Sequence, residues 1–186
     1  MNAIGCKLIP AVFSCILLVS PLAQAYSQSL NESGTPADYK FGVGDVIRIT
    51  VHGEDDLNLE SRIEESGKIE YPFLGTIRVA SMTVHTLESH IENGLKGDYL
   101  IEPDVQVSVV QYRPFYINGE VRNPGSYPFQ PGLTVQKAAA IAGGFTRLAS
   151  TNRIVLKREN SGEEYAAELD TRLNPGDTII IKESFF

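Results

Sequence analysis

The sequence has few of the residue types that carry covalent or redox chemistry. It contains two cysteines, two methionines, three histidines and no tryptophan. Both cysteines, Cys6 and Cys15, lie in an N-terminal segment that we predict to be removed, so we expect none in the mature chain. Because an oxidising compartment does not require disulfides, the fold has to rest on an apolar core, which about 160 residues can bury.

An excess of positive charge is also missing. The chain has 16 Lys and Arg against 23 Asp and Glu, a formal net charge of −7. Removing residues 1–25 takes away one lysine and no acid, which changes the net charge to −8. Nucleic acid is therefore excluded as a predicted partner, because phosphate binding needs concentrated positive charge.

No hydrophobic run is long enough to span a membrane comfortably. Lys7 precedes the apolar segment Leu8–Leu22, and a small-x-small pattern ends at Ala25, before Tyr26. This pattern predicts a signal peptide over residues 1–25, cleaved between Ala25 and Tyr26, and an exported protein; an N-terminal membrane anchor is the alternative. The apolar segment continues past Cys15, so we expect the chain not to be a lipoprotein.

Residues in a catalytic or metal-binding arrangement are scarce. His85 and His90 are five positions apart and His52 is isolated, whereas a zinc pair on a helix needs positions i and i+4. The acidic clusters 54–56 and 64–65 are typical of solvated loops and not of the facing carboxylates of a glycosidase. We therefore predict a non-enzymatic protein with no catalytic residue, no metal and no cofactor.

The pattern of apolar residues predicts an α+β fold of two small mixed lobes, residues 39–110 and 111–186, after a flexible lead-in over 26–38. In the first lobe, Ser66-Gly67 is predicted to turn 61–63 back onto 68–71 as a hairpin. Thr83 is predicted to cap a helix whose apolar face is Val84, Leu87, Ile91 and Leu95. The remaining first-lobe strands are predicted at 46–51, 74–79 and 105–109.

The second lobe is predicted to contain similar secondary-structure elements. Asn123-Pro124-Gly125-Ser126 is predicted to form a turn with Gly125 at the positive-φ position. Thr134 is predicted to cap a helix that ends at Gly143-Gly144. Strands are predicted at 115–121, 153–157, 164–169 and 178–181.

Short motifs recur in the two lobes. Gly44-Asp45 and Gly176-Asp177 each precede an apolar strand, and the aspartates are placed to accept backbone N–H bonds. Tyr-Pro-Phe occurs at 71–73 and 127–129, each time before a Thr-capped helix. These echoes suggest, as a hypothesis, two related α+β units.

The ordered set of motifs resembles the outer-membrane polysaccharide export family. Residues 39–110 resemble its export domain through FGVGDVIRITVHGEDDL, GKIEYPFLGTIRVASMTVHTLESHI and YLIEPDVQVSVV. Residues 111–186 resemble its soluble-ligand-binding β-grasp (SLBB) module through YINGEVRNPGSYPFQPGLTVQKAAAIAGGFTRLAS, VLKRE and LNPGDTIIIKE.

The resemblance implies a periplasmic, outer-membrane-associated part of a capsule or exopolysaccharide export machine. Its implied partners are the polysaccharide chain, further copies of itself in a homo-oligomeric ring, and an inner-membrane copolymerase. Larger members carry a second β-grasp module and a C-terminal membrane-crossing helix, and many are lipoproteins. Because this sequence ends at Ser184-Phe185-Phe186, we expect a collar that works with a separate outer-membrane β-barrel pore.

Tyrosines and arginines near the start of the second lobe are candidates for an interaction surface. Such side chains can bind sugar hydroxyls and are enriched at protein interfaces, although ordinary strand packing also explains Tyr116 and Tyr127. The candidate residues are Tyr112, Arg113, Tyr116, Arg122 and Tyr127. Two other functions stay open: a monomeric periplasmic carbohydrate-binding module and, less favoured, a polysaccharide-processing enzyme.

Overall fold

The computed structural model describes residues 39–159 and 162–184. The predicted signal peptide with its Ala25–Tyr26 cleavage site, the lead-in 26–38 and the terminal Phe185 and Phe186 lie outside the described residues. The described chain confirms the α+β prediction, because strands and helices pack into two lobes with separate apolar clusters. No helix in this part of the chain is long and apolar enough to cross a membrane.

The first lobe combines short antiparallel strands with a helix. The elements are β1 Val46–Val51, β2 Leu59–Arg62, β3 Lys68–Tyr71, β4 Gly75–Arg78, α1 Val84–Leu95 and β5 Val105–Gln111. Strand β1 is central in the sheet order β2-β1-β5, and β3 pairs with β4 as a hairpin. Alternate β1 side chains, Ile47, Ile49 and Val51, point into the core because successive strand residues face opposite sides.

Helix α1 forms where the sequence predicts it. The Thr83 hydroxyl accepts a hydrogen bond from the Thr86 N–H at 3.3 Å, which confirms the cap. Leu87, Ile91 and Leu95 follow at helical spacing and are fully buried. Burying each of these side chains stabilises the lobe by about 1.5–3 kcal/mol.

The second lobe is a mixed sheet covered by a short helix. The elements are β6 Phe115–Gly119, β7 Gly125–Tyr127, α2 Val135–Ile141, β8 Ala149–Lys157, β9 Glu164–Ala167 and β10 Thr178–Glu183. The strand order is β7-β6-β10-β8-β9, and β6 runs parallel to β10 while the other neighbours are antiparallel. Thr134 caps α2 as predicted, and Gly143 and Gly144 beyond the helix both have positive φ.

Two local predictions are wrong. Residues 61–63 do not pair with 68–71, because β2 pairs with β1 while β3 pairs with β4. Gly67 does turn the chain with positive φ, but its carbonyl accepts from the N–H groups of Val79 and Ala80. Gly125 is not the positive-φ residue of a turn; it lies in β7, opposite Ile117.

Candidate functional site at the junction of the lobes

The Gly44-Asp45 turn supplies a buried carboxylate at the junction of the lobes. Gly44 has a φ of 92°, and the Asp45 Oδ2 atom accepts from the Gly42 N–H at 2.8 Å, as the turn chemistry predicts. The Tyr39 hydroxyl donates to the same oxygen at 2.5 Å. Asp45 is completely buried, so these donors replace the water that its charge would otherwise require.

Arg113 lies on the three-residue crossing from β5 to β6 and joins the lobes. Its N–H donates to Asp45 Oδ1 at 2.8 Å, and its Nη1 atom lies 3.1 Å from Asp45 Oδ2. Its Nε atom donates to Glu159 Oε2 at 2.5 Å, beyond the end of β8. A first-lobe acid and a second-lobe acid therefore bind one arginine that is 5% exposed.

The second Gly-Asp turn lies beside the first. Asp177 Oδ2 accepts from the Asn174 N–H at 2.7 Å and pairs with the Arg158 guanidinium. Arg158 also donates to the Arg172 carbonyl at 3.1 Å. Both Gly-Asp aspartates are thus buried acceptors, each with its own arginine.

Glycines leave the space that these charged groups occupy. A Cβ atom at Gly42 would overlap the Arg113 guanidinium, and one at Gly176 would overlap the Glu159 carboxylate. Gly176 also has a φ of 84°, a conformation that glycine adopts without strain. Both positions therefore need glycine because charged atoms of the junction lie directly against the backbone.

The surroundings of Arg113 and Tyr39 hold each of these two side chains in one protonation state. Burial alone lowers the pKa of Arg113, but Tyr39, Asp45 and Glu159 raise it above its ordinary value, so the guanidinium stays cationic. Burial, together with the bond to Asp45, raises the pKa of Tyr39 well above that of a free phenol, so Tyr39 stays neutral. Burial also raises the pKa of Asp177, against the opposing effects of the Asn174 N–H and Arg158.

The network satisfies its own hydrogen-bonding groups. Among the described residues, no buried side-chain nitrogen or oxygen lacks a hydrogen-bond partner. Fully satisfied buried polar networks rigidify a structure and specify one packing. Within residues 39–159 and 162–184 there is also no cluster of three or more His, Cys, Asp or Glu side chains that could hold a metal ion. The arrangement is suited to holding the lobes together.

A cavity of about 180 Å³ lies against this network. Three half-buried aromatic rings line it, and they contact one another edge to face: Tyr39 and Tyr112 have centroids 5.1 Å apart, and Tyr112 and Phe129 5.6 Å apart. Exposed residues at the cavity show that it opens to solvent. The other lining residues are Pro131, Gly132, Leu133, Arg172, Leu173, Asn174 and Pro175.

The five sequence-predicted surface residues do not form one surface. Tyr112 lines the cavity, Arg113 is buried in the network, and Arg122 is exposed near β7. Tyr116 is 44% exposed, whereas Tyr127 packs on the opposite face of the sheet, with its ring 5.9 Å from that of Phe115. Contact of any of them with sugar or with a partner protein stays a prediction.

Sequence reasoning missed most of the junction. Tyr39, Glu159 and Arg158 have no local signal, because their partners lie 6 to 74 residues away in the chain. The two Gly-Asp turns were visible as backbone acceptors, but nothing in the sequence shows that each binds an arginine. The sequence predicts Arg113 as part of an interaction surface with nearby tyrosines and Arg122, but the structure buries it in the junction.

Comparisons with known proteins match both lobes. Residues 33–110 match the family model described as polysaccharide biosynthesis/export protein, and residues 114–166 match the SLBB domain. The exopolysaccharide production protein ExoF of Rhizobium meliloti (strain 1021) is 31% identical over 149 residues, which cover 73% of this chain and 35% of ExoF.

Other relatives are also named for the transport or export of polysaccharides. The polysialic acid transport protein KpsD of Escherichia coli is 27% identical over 175 residues, covering 86% of this chain and 31% of KpsD. The EPS I polysaccharide export outer membrane protein EpsA of Ralstonia nicotianae (strain ATCC BAA-1114 / GMI1000) is 25% identical over 165 residues, covering 74% of this chain and 42% of EpsA. The chain thus spans between about a third and two fifths of the length of these relatives.

Proposed function

Because the chain belongs to the polysaccharide biosynthesis/export family, with an SLBB domain after its export domain, we propose that it is a non-enzymatic component of a bacterial polysaccharide export machine. The observation that carries the proposal is the order of the two family matches along one chain, each on its own lobe. Named relatives in production, transport and export of polysaccharides support the same process.

The proposed place of action is the periplasm, in association with the outer membrane. The name of EpsA, which describes an outer membrane protein, and the predicted signal peptide over residues 1–25 support this location. The proposed partners are the polysaccharide chain, an inner-membrane copolymerase and a separate outer-membrane β-barrel pore. The chain would act by lining the route of the polymer and would break no bond in it.

Deletion of the gene tests the export role. We expect polymer synthesis to continue while polymer disappears from the cell surface and accumulates inside the envelope, and we expect the intact gene to restore export. Loss of synthesis itself, or altered polymer length with normal export, would contradict the proposal and favour an enzyme.

Self-association into a ring is the finer part of the proposal, and exposed apolar side chains of the first lobe support it. We call them the patch: Phe73, the adjacent Tyr99 and, two residues further along the chain, Ile101. Phe73 is 65% exposed and Ile101 is 89% exposed, and the Phe73 and Tyr99 rings lie 4.8 Å apart. Phe73 has a φ of 63°, a conformation that costs a non-glycine residue about 1–2 kcal/mol. In a single copy, Phe73 therefore combines a strained backbone with a largely exposed aromatic side chain.

The distribution of charge also supports head-to-tail contact between copies. Residues 39–110 carry 6 Lys and Arg against 13 Asp and Glu, whereas residues 111–186 carry 9 against 8. An acidic lobe that meets the nearly neutral lobe of the next copy avoids the repulsion of two acidic lobes. Such head-to-tail contacts close into rings when the rotation between copies permits it.

Light scattering on the purified protein, in the form that is exported after removal of the predicted signal peptide, measures its mass and tests the ring. We expect an oligomer, and we expect Ile101→Glu to lower its mass because a charge enters the patch. Val43→Glu is the matched control, since Val43 is 43% exposed on the same lobe and outside the patch. A monomer at high concentration would favour the rival function, a monomeric carbohydrate-binding module.

A further inference from the structure

The aromatic cavity at the junction has the dimensions and lining of a small-ligand site. Pockets for drug-sized molecules measure roughly 300–1,000 Å³, so a cavity of about 180 Å³ accommodates a single ring and not an oligosaccharide. Its walls come from both lobes, because Tyr39 belongs to the first and Phe129 to the second. A chain passing the junction could therefore place one unit in it at a time.

The side chains at the cavity combine apolar faces with hydrogen-bonding groups. Tyr39, Tyr112 and Phe129 offer aromatic surface, and Leu133 and Leu173 add buried aliphatic surface. Arg172 and Asn174 are exposed beside these rings, and their side chains donate hydrogen bonds, with the asparagine also accepting. A ligand suited to this lining has an apolar C–H face and hydroxyl groups at its edge.

The cavity is already formed without a ligand. Tyr39 is held by its hydroxyl, which donates to Asp45 and accepts from Arg113 at 2.9 Å. Leu173 and Leu133 are fixed by a backbone bond of 3.0 Å. A ligand therefore has little protein ordering to offset on binding.

We propose that this cavity binds one pyranose unit of the exported polysaccharide, against the aromatic wall of Tyr39, Tyr112 and Phe129 and beside Arg172 and Asn174. The inference rests on the proposed function for the presence of polymer, and it names where the chain touches that polymer. The expected affinity is about millimolar, since tighter binding would retain the polymer that has to move on.

Saturation-transfer NMR on the exported form of the protein tests the site. The probes are D-glucose, D-galactose, D-mannose and D-glucuronate, with acyclic D-glucitol and N-acetyl-phenylalanine amide as comparisons. We expect transfer to the ring protons of at least one pyranose and at most a much weaker signal for D-glucitol. Transfer to no pyranose, or to the phenylalanine amide alone, would overturn the proposal.

Paired variants locate the signal. Tyr112→Ala and Arg172→Ala are expected to reduce the transfer at least threefold, while Tyr116→Ala and Arg122→Ala, exposed residues away from the cavity, leave it unchanged. Because Arg172 is exposed, its variant keeps the test valid if Tyr112→Ala disturbs folding. Equal transfer in Arg172→Ala and Arg122→Ala would overturn the site. Loss of export on gene deletion combined with unchanged sugar contact in Arg172→Ala would overturn this inference alone and leave the export function standing.

Discussion

The Asp45 and Asp177 turns share a local design but differ in what they connect. In each, the aspartate follows a positive-φ glycine, accepts from the N–H three residues earlier and pairs with an arginine. Asp45 pairs with Arg113, which also contacts Glu159 of the other lobe. Asp177 pairs with Arg158, which lies next to β8 in the same lobe. The same backbone motif thus connects the two lobes at Asp45 and connects parts of the second lobe at Asp177.

Replacing the two aspartates should have the largest and most unequal effect. Asp45→Asn removes the fully buried partner of Arg113, and breaking a buried pair costs about 3–5 kcal/mol. Asp177→Asn should cost about 1 kcal/mol, because burial already raises the pKa of Asp177 and disfavours its charge. Urea denaturation of both variants measures the difference, and equal losses would show that the two turns contribute alike.

Glycine substitutions test whether crowding by charged groups distinguishes the junction from other turns. Gly176→Ala and Gly97→Ala both place a side chain at positive φ, at 84° and 91°. Only the first displaces the Glu159 carboxylate, since nothing lies within 4 Å of a Cβ at Gly97. We expect Gly176→Ala to lower the free energy of unfolding by about 1–3 kcal/mol more than Gly97→Ala does. A difference near zero would mean that Glu159 moves aside freely.

Glu159 and Glu60 are similarly exposed, but one binds a buried arginine and the other an exposed arginine. Replacing each glutamate therefore compares the two kinds of partner. Glu159 and Glu60 have side chains 48% and 47% exposed, but their partners Arg113 and Arg48 are 5% and 55% exposed. Solvent screens both pairs, so neither substitution should lower the free energy of unfolding by more than about 1 kcal/mol. We expect Glu159→Gln to destabilise the protein measurably and Glu60→Gln to have no measurable effect in thermal denaturation. The reverse order would contradict the role of Glu159 at the junction.

The effect confined to alkaline pH concerns Tyr39. Because its folded-state pKa is raised above the unfolded value near 10, its contribution to stability is complete below pH 10 and is lost as the pH rises through the folded-state pKa. Above pH 10, the free energy of unfolding should fall more steeply in the wild type than in Tyr39→Phe, by at most about 1.4 kcal/mol per pH unit. Identical slopes in denaturant titrations would show that Tyr39 ionises freely in the folded protein.

The sequence predicted those elements whose signals are local. Thr83 and the spacing of Leu87, Ile91 and Leu95 define α1 within one stretch of chain, and the β1 alternation is equally local. Pairing of β2 with β1 was missed because a turn at Gly67 does not specify which strand lies beside which. The contact between Asp45 and Arg113 spans 68 residues, and burial of Arg113 depends on Glu159, 46 residues further on. Neither hydrophobic periodicity nor turn residues indicate contacts between residues so far apart in the sequence.

The three-residue crossing at Arg113 has a consequence for the geometry of assembly. A side chain bonded to both lobes limits how far one lobe can turn against the other within a copy. In the ring that we propose, little variation in shape from copy to copy favours closure with one number of copies. Loss of the Arg113 bonds would broaden that number and leave open arcs among the closed circles, which electron micrographs can count.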